Sequence, residues 1–189
     1  VIKGANLLED TAVAAHKLDA PIEFHLIGYG YRPLKTQPRA RLTVHGRYDE
    51  ADLPALLNWL QPDVVWFPAQ WPETYSYTLS ACLQGGWPVV APDLGAFRER
   101  LQARSWSWVR PWNDEAAQWI EFFTQIRAHH FATGISPAPI ASAPLPNVEA
   151  LPSIDATQGS SWYQHNYLTG LALSPRGESP SREFLALHL

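Results

Sequence analysis

The sequence predicts an α/β fold, a Rossmann-like doubly wound parallel sheet with helices on both faces. Three observations predict it. Short apolar runs alternate with helix-period stretches over residues 1–133. The runs are apolar throughout rather than at every second position, as in strands covered on both sides. Glycine and polar residues gather just after the runs, where an open parallel sheet places its ligand: Gly28-Tyr29-Gly30, Gly46-Arg47-Tyr48, residues 68–73 and Asp93-Leu94-Gly95.

The elements follow in order. Over residues 4–18, Leu7, Leu8, Ala12, Ala15 and Leu18 recur at helical spacing. Residues 22–27 read as a strand stopped by glycine, and residues 41–45 as a weaker one ending at Gly46. Leu53, Leu56, Leu57 and Leu60 share one side of a short helix over 52–60. A compact apolar strand, 63–67, lies between Pro62 and Pro68. Pro72, tolerated in a first helical turn, predicts a helix over 73–84 that Gly85-Gly86 ends. A strand at 88–92, a helix at 97–103 and a strand at 106–109 follow. The last helix, 113–129, has Asn113 as its expected cap. Residues 134–161 then read as a Pro/Ala/Ser-rich linker, and 162–189 as a helical segment with a tail.

Composition narrows the function. Nine Trp, seven Tyr and seven Phe exclude disorder throughout. Fourteen basic against eighteen acidic residues give no footprint for nucleic acid. No apolar run approaches the ~18–20 residues of a membrane span, which leaves only peripheral association open. A lone cysteine, Cys82, excludes an intrachain disulfide and fits a cytoplasmic protein. The sequence contains no Met, so it is expected to be part of a longer polypeptide.

Chemistry concentrates in residues 67–79. A carboxylate, Glu73, follows Pro72 at an expected helix start, with Thr74, Tyr75 and Ser76 behind it. Such a turn offers unpaired N–H groups to phosphate oxygens, and the carboxylate can accept bonds from sugar hydroxyls. A glutamate there also stabilises a helix through its dipole alone, so the spacing by itself leaves both readings open.

This window, with Gly86, Pro88-Val89-Val90-Ala91, Asp93-Leu94-Gly95-Ala96 and Glu99-Arg100-Leu101, resembles the carboxy-terminal half of GT-B fold glycosyltransferases. The likeness is to the large retaining "group 1", or family 4-like, set. It extends back through Lys3-Gly4, Ile27-Gly28-Tyr29-Gly30 and Gly46-Arg47-Tyr48, covering roughly residues 1–110. The resemblance implies a domain that binds a nucleotide-sugar donor, while an N-terminal domain of the same polypeptide presents an acceptor. It implies hexosyl transfer without an essential metal or other cofactor, and no turnover by this segment alone. By position, Glu73 contacts the donor sugar and Lys3 the diphosphate. Gly28, Tyr29 and Gly30 lie along the nucleotide, and Gly46, Arg47 and Tyr48 border its base or phosphate. Thr74, Tyr75 and Ser76 sit beside the diphosphate, and Tyr77 faces the core.

Two departures accompany the likeness. Eight residues after Glu73 the family places a second glutamate for the ribose hydroxyls; this chain has Ala81, flanked by Ser80. The alternative reading is therefore a GT-B-like domain that lost donor binding and serves interaction or assembly. The family also has a strand before the Lys-Gly helix, which Val1-Ile2 is too short to supply, so the sheet is expected to be incomplete there. Among other candidates, His16, His25, His45, His129 and His130 show no metal-ligand spacing. Cys82 reads as a packed side chain, and Trp66, Trp71, Trp106, Trp108 and Trp112 mainly as core.

Overall fold

The structure, a computed structural model, describes residues 3–141. It is a mixed α/β arrangement in which every strand pair is parallel. Helix α1 (Ala5–Lys17) leads to β1 (Phe24–Ile27) and β2 (Leu42–Gly46). A single 3-10 turn then joins α2 (Leu53–Leu60), followed by β3 (Val65–Trp66), α3 (Tyr77–Gln84) and β4 (Val89–Pro92). Helix α4 (Phe97–Leu101), β5 (Ser107–Arg110) and α5 (Ala116–Ile126) complete it, α5 running on into a π-helical turn.

Among the described residues the strands of the expected single sheet form two ladders. Strand β1 pairs with β2, with Phe24 opposite Leu42, and a separate ladder runs β3-β4-β5. Strand β3 is two residues long where residues 63–67 were expected, and among the described residues it pairs with β4. Two apolar clusters nevertheless run across both ladders. Phe24, Leu26, Leu42, Trp66, Val90 and Trp108 turn toward α1 and α5. Ile27, Val65, Phe67, Val89 and Ala91 turn toward α2, α3 and α4. Successive strand residues point to opposite faces, so continuous apolar strands fill both clusters at once.

Three boundaries differ from expectation for local reasons. Helix α3 begins at Tyr77 rather than Glu73, because the Ser76 hydroxyl accepts the Leu79 N–H at 3.3 Å and caps the helix there. Helix α5 is capped not by Asn113 but by Glu115, in a reciprocal capping box with Gln118. Residues 134–141 do not run free as a linker: Trp106 N–H donates to Ser136 Oγ, and Ile140 bridges to Gln102. The rest of the 134–161 linker and the segment 162–189 lie outside the described residues.

Glu9, buried on α1, ties the loop after β1 to the helix. Arg32 donates to its Oε2 and the Lys35 N–H to its Oε1, both at 2.6 Å. The Arg32 hydrogen bond, chiefly, holds the Glu9 carboxyl below its ordinary value. A depressed folded pKa contributes stability above the unfolded value near ~4.3, lost as pH falls through the folded one. Glu9→Gln is therefore expected to lower stability at pH 7 by roughly 1–3 kcal/mol, read as a lower urea midpoint. The difference from wild type should shrink toward pH 3, and midpoints measured across that range check it.

Candidate functional site

Backbone contacts too close for any side chain build the loop after β3. Gly4, at φ 85°, ends the lead into α1 against Pro68; a Cβ there would lie 1.9 Å from the Pro68 carbonyl oxygen. Gly95, at φ 53°, sits equally tightly on Glu73, its hypothetical Cβ 2.3 Å from the Glu73 oxygen. The next N–H, of Ala96, donates to that oxygen at 2.8 Å. Two glycines thus clamp the loop from both sides.

The clamp brings Lys3 to Glu73. The Lys3 ammonium donates to Glu73 Oε1 across 70 positions of sequence, and the carboxylate side chain is only 9 % exposed. Arg100 of α4 closes the other side. It donates to the Ser76 carbonyl at 2.9 Å and the Ser80 hydroxyl at 2.7 Å, with its guanidinium 4.6 Å from the Tyr75 ring centre. Ser80 in turn donates to the Tyr75 hydroxyl at 2.9 Å. Glu73, Ser76, Leu79, Ala96, Phe97 and Arg100 line a shallow, open recess. One carboxylate and two cations from separate elements thus meet beyond the carboxyl ends of β3 and β4.

The sequence-predicted residues fall into separate groups. Glu73 and Ser76 line this recess and Lys3 reaches it through Glu73, whereas Thr74 is exposed and Tyr75, also exposed, packs on Arg100. Tyr77, expected in the core, is 63 % exposed. At the ends of β1 and β2 the Gly46 N–H donates to the Gly28 carbonyl at 3.0 Å. Arg47 lies over the Tyr29 ring at 4.6 Å, and Gly30 turns where a Cβ would meet Arg32. Tyr48 departs from both groups: it packs into the apolar cluster and hydrogen-bonds Thr78 of α3. Burial, then the charge of Glu50, pushes its phenol above the ordinary value.

Arg100 is a site residue to which the sequence assigned no role, although the run Glu99-Arg100-Leu101 four residues past Gly95 carries part of the likeness. Ser80, beside the Ala81 that stands in place of the second glutamate, is held by Arg100 and Tyr75, and Ala81 packs against the core cluster.

His25 and His45, far apart in sequence and without metal-ligand spacing, meet across β1 and β2 with Nδ1 to Nε2 3.0 Å apart. Among the described residues no three His, Cys, Asp or Glu side chains gather as a metal site. Cys82 is fully buried, which pushes its thiol up to about 12. Of the tryptophans, Trp66 and Trp108 are core, while Trp71 and Trp112 stand exposed beside the recess loop. No helix among the described residues is long and apolar enough to cross a membrane.

No protein-family model, curated protein or solved structure matches the chain.

Proposed function

We propose that this chain is the donor-binding domain of a GT-B type glycosyltransferase, taking a nucleotide-sugar at the loop between β3 and α3. The observation that carries the reading is the meeting of Lys3 with Glu73, beside Arg100. The resemblance assigns Lys3 to a diphosphate and Glu73 to a sugar, and these sequence-distant residues converge beyond the strand ends. A diphosphate competes with Glu73 for the Lys3 ammonium and frees the carboxylate to accept sugar hydroxyls. Lys3 and Arg100 then offset the charge that grows on a departing diphosphate, a stabilisation aimed at the transition state. The two apolar clusters, one on each side of the strands, support a doubly wound arrangement for this domain. On this reading an N-terminal domain presents the acceptor, and the reaction uses no metal or cofactor.

A second reading, a domain of the same architecture that has lost donor binding and serves assembly, draws on two observations. Ala81 stands where a carboxylate would hold the ribose, and the Glu73 recess encloses no space even for a water-sized molecule, whereas small-molecule sites hold ~300–1,000 Å³. Titration calorimetry with UDP, GDP and their sugar conjugates separates the two. Binding at millimolar or tighter Kd, weakened about tenfold by Glu73→Gln (~1.4 kcal/mol), supports the donor site. Absence of binding in the complete polypeptide supports the assembly domain.

A further inference from the structure

A shift in strand register brings His25 and His45 together. Phe24, His25 and Leu26 face Leu42, Thr43 and Val44 in step, but Ile27 faces Gly46. His45 is the extra residue at that shift, and a bulge of this kind re-aims the side chain it carries. The two imidazoles then meet end to end. His25 Nδ1 lies 3.0 Å from His45 Nε2, and the ring planes differ by 17°. The 5.3 Å between ring centres is that gap plus one ring radius on each side, so both nitrogens lie on the line joining the rings. A proton on one points straight at the lone pair of the other.

Such a pair needs one donor and one acceptor. Neutral or singly charged, it keeps its hydrogen bond. With a proton on both facing nitrogens it loses its acceptor and sets two cations side by side. The surroundings decide which ring accepts. His25 is half-buried, whereas His45 is exposed and stands edge-on to Trp59 of α2, ring centres 5.6 Å apart at 88°. Burial, and after it the neighbouring His45, lowers the His25 pKa, while Glu23 opposes them. His25 Nδ1 is therefore the acceptor and His45 Nε2–H the donor. Strands β1 and β2 carry no titratable side chain besides these two histidines, and α2 carries none. Nearby, Glu50 acts on Tyr48, and Arg47 lies over the Tyr29 ring.

We propose that His25 and His45 form a proton-controlled latch. A neutral His25 accepts the His45 N–H and holds the end of β2 on β1; a proton on His25 removes that acceptor and loosens the end. The effect reaches Gly46, the next residue, whose N–H donates to the Gly28 carbonyl at 3.0 Å. An unfolded chain binds the His25 proton more readily than the folded one. The stability that the latch contributes is thus complete above the unfolded value of ~6.5 and is lost as pH falls from there through the folded value. This device is independent of any ligand at Glu73.

Nitrogen NMR of the imidazoles in the 189-residue chain, with a chelator present, tests the bond without any variant. At about pH 7.5 a scalar coupling across the N–H···N bond is expected between His25 Nδ1 and His45 Nε2, and it should vanish by about pH 5. Over the same range, hydrogen exchange at the Gly46 amide, relative to the unstructured-peptide rate at each pH, should quicken at least ~10-fold, while Val90 stays protected. His25→Gln keeps an acceptor that does not titrate, so the corresponding change at Gly46 should fall below ~2-fold. Independent single-step titrations of the two rings, with no coupling between their nitrogens at any pH, overturn the proposal. So does a Gly46 step that survives His25→Gln, which would put the trigger elsewhere.

Discussion

Gly95→Ala is expected to lower stability by about 2–4 kcal/mol and to abolish the Lys3–Glu73 pairing. Two costs combine. The left-handed conformation at φ 53° penalises any Cβ by roughly 1–2 kcal/mol. The added methyl also falls 2.3 Å from the Glu73 carbonyl oxygen and 2.7 Å from its nitrogen, so the loop must move. The matched control is Gly86→Ala, at φ 74° with nothing within 4 Å of the added methyl, where only the conformational cost of ~1 kcal/mol applies. Urea midpoints measure both variants. A Gly95 variant no worse than the Gly86 control would mean that the clamp on Glu73 is loose.

Trp119→Ala should cost about 3–5 kcal/mol, a large part of the ~5–15 kcal/mol that holds such domains folded. Trp119 is 1 % exposed and lies against Trp66 with ring centres 4.8 Å apart, and against Phe122 and Phe123 at 5.9 and 5.7 Å. Its indole N–H donates to the Asp114 carbonyl, which truncation leaves without that donor. Through Trp66 this aromatic stack ties α5 to the strand that leads into the Glu73 loop. Trp59, 68 % exposed on α2, is the control and should shift stability by under ~0.5 kcal/mol when replaced by Ala. Chemical denaturation of the pair distinguishes a core built on Trp119 from one that tolerates its loss.

Apolar patterning located every helix and strand among the described residues, because the central strand β4 is buried throughout, β2 buries alternate positions, and the helices carry one apolar face. What it could not read was competition between neighbouring signals. Pro72 and Glu73 mark a helix start by local preference, but Ser76 offers the better cap, and Gly95 holds the Glu73 backbone in a conformation outside the helix. Asn113 lost to Glu115 for a similar reason, since only Glu115 finds a Gln three residues later to answer it. Contacts across the sheet were beyond local pattern: nothing near Arg100 in sequence points to Ser76, and nothing near His25 points to His45. The pairing of the described strands into two ladders likewise depends on which backbone edges find partners, which side-chain patterning does not encode.

Amide chemical-shift mapping of the full-length chain with a UDP- or GDP-linked sugar tests the donor site most directly. Shifts concentrated at Tyr75, Ser76, Gly95, Ala96 and the Arg100 side chain, and lost in Glu73→Gln, are the predicted result. Spectra unchanged at millimolar ligand, or shifts that persist undiminished without the Glu73 carboxylate, would contradict it.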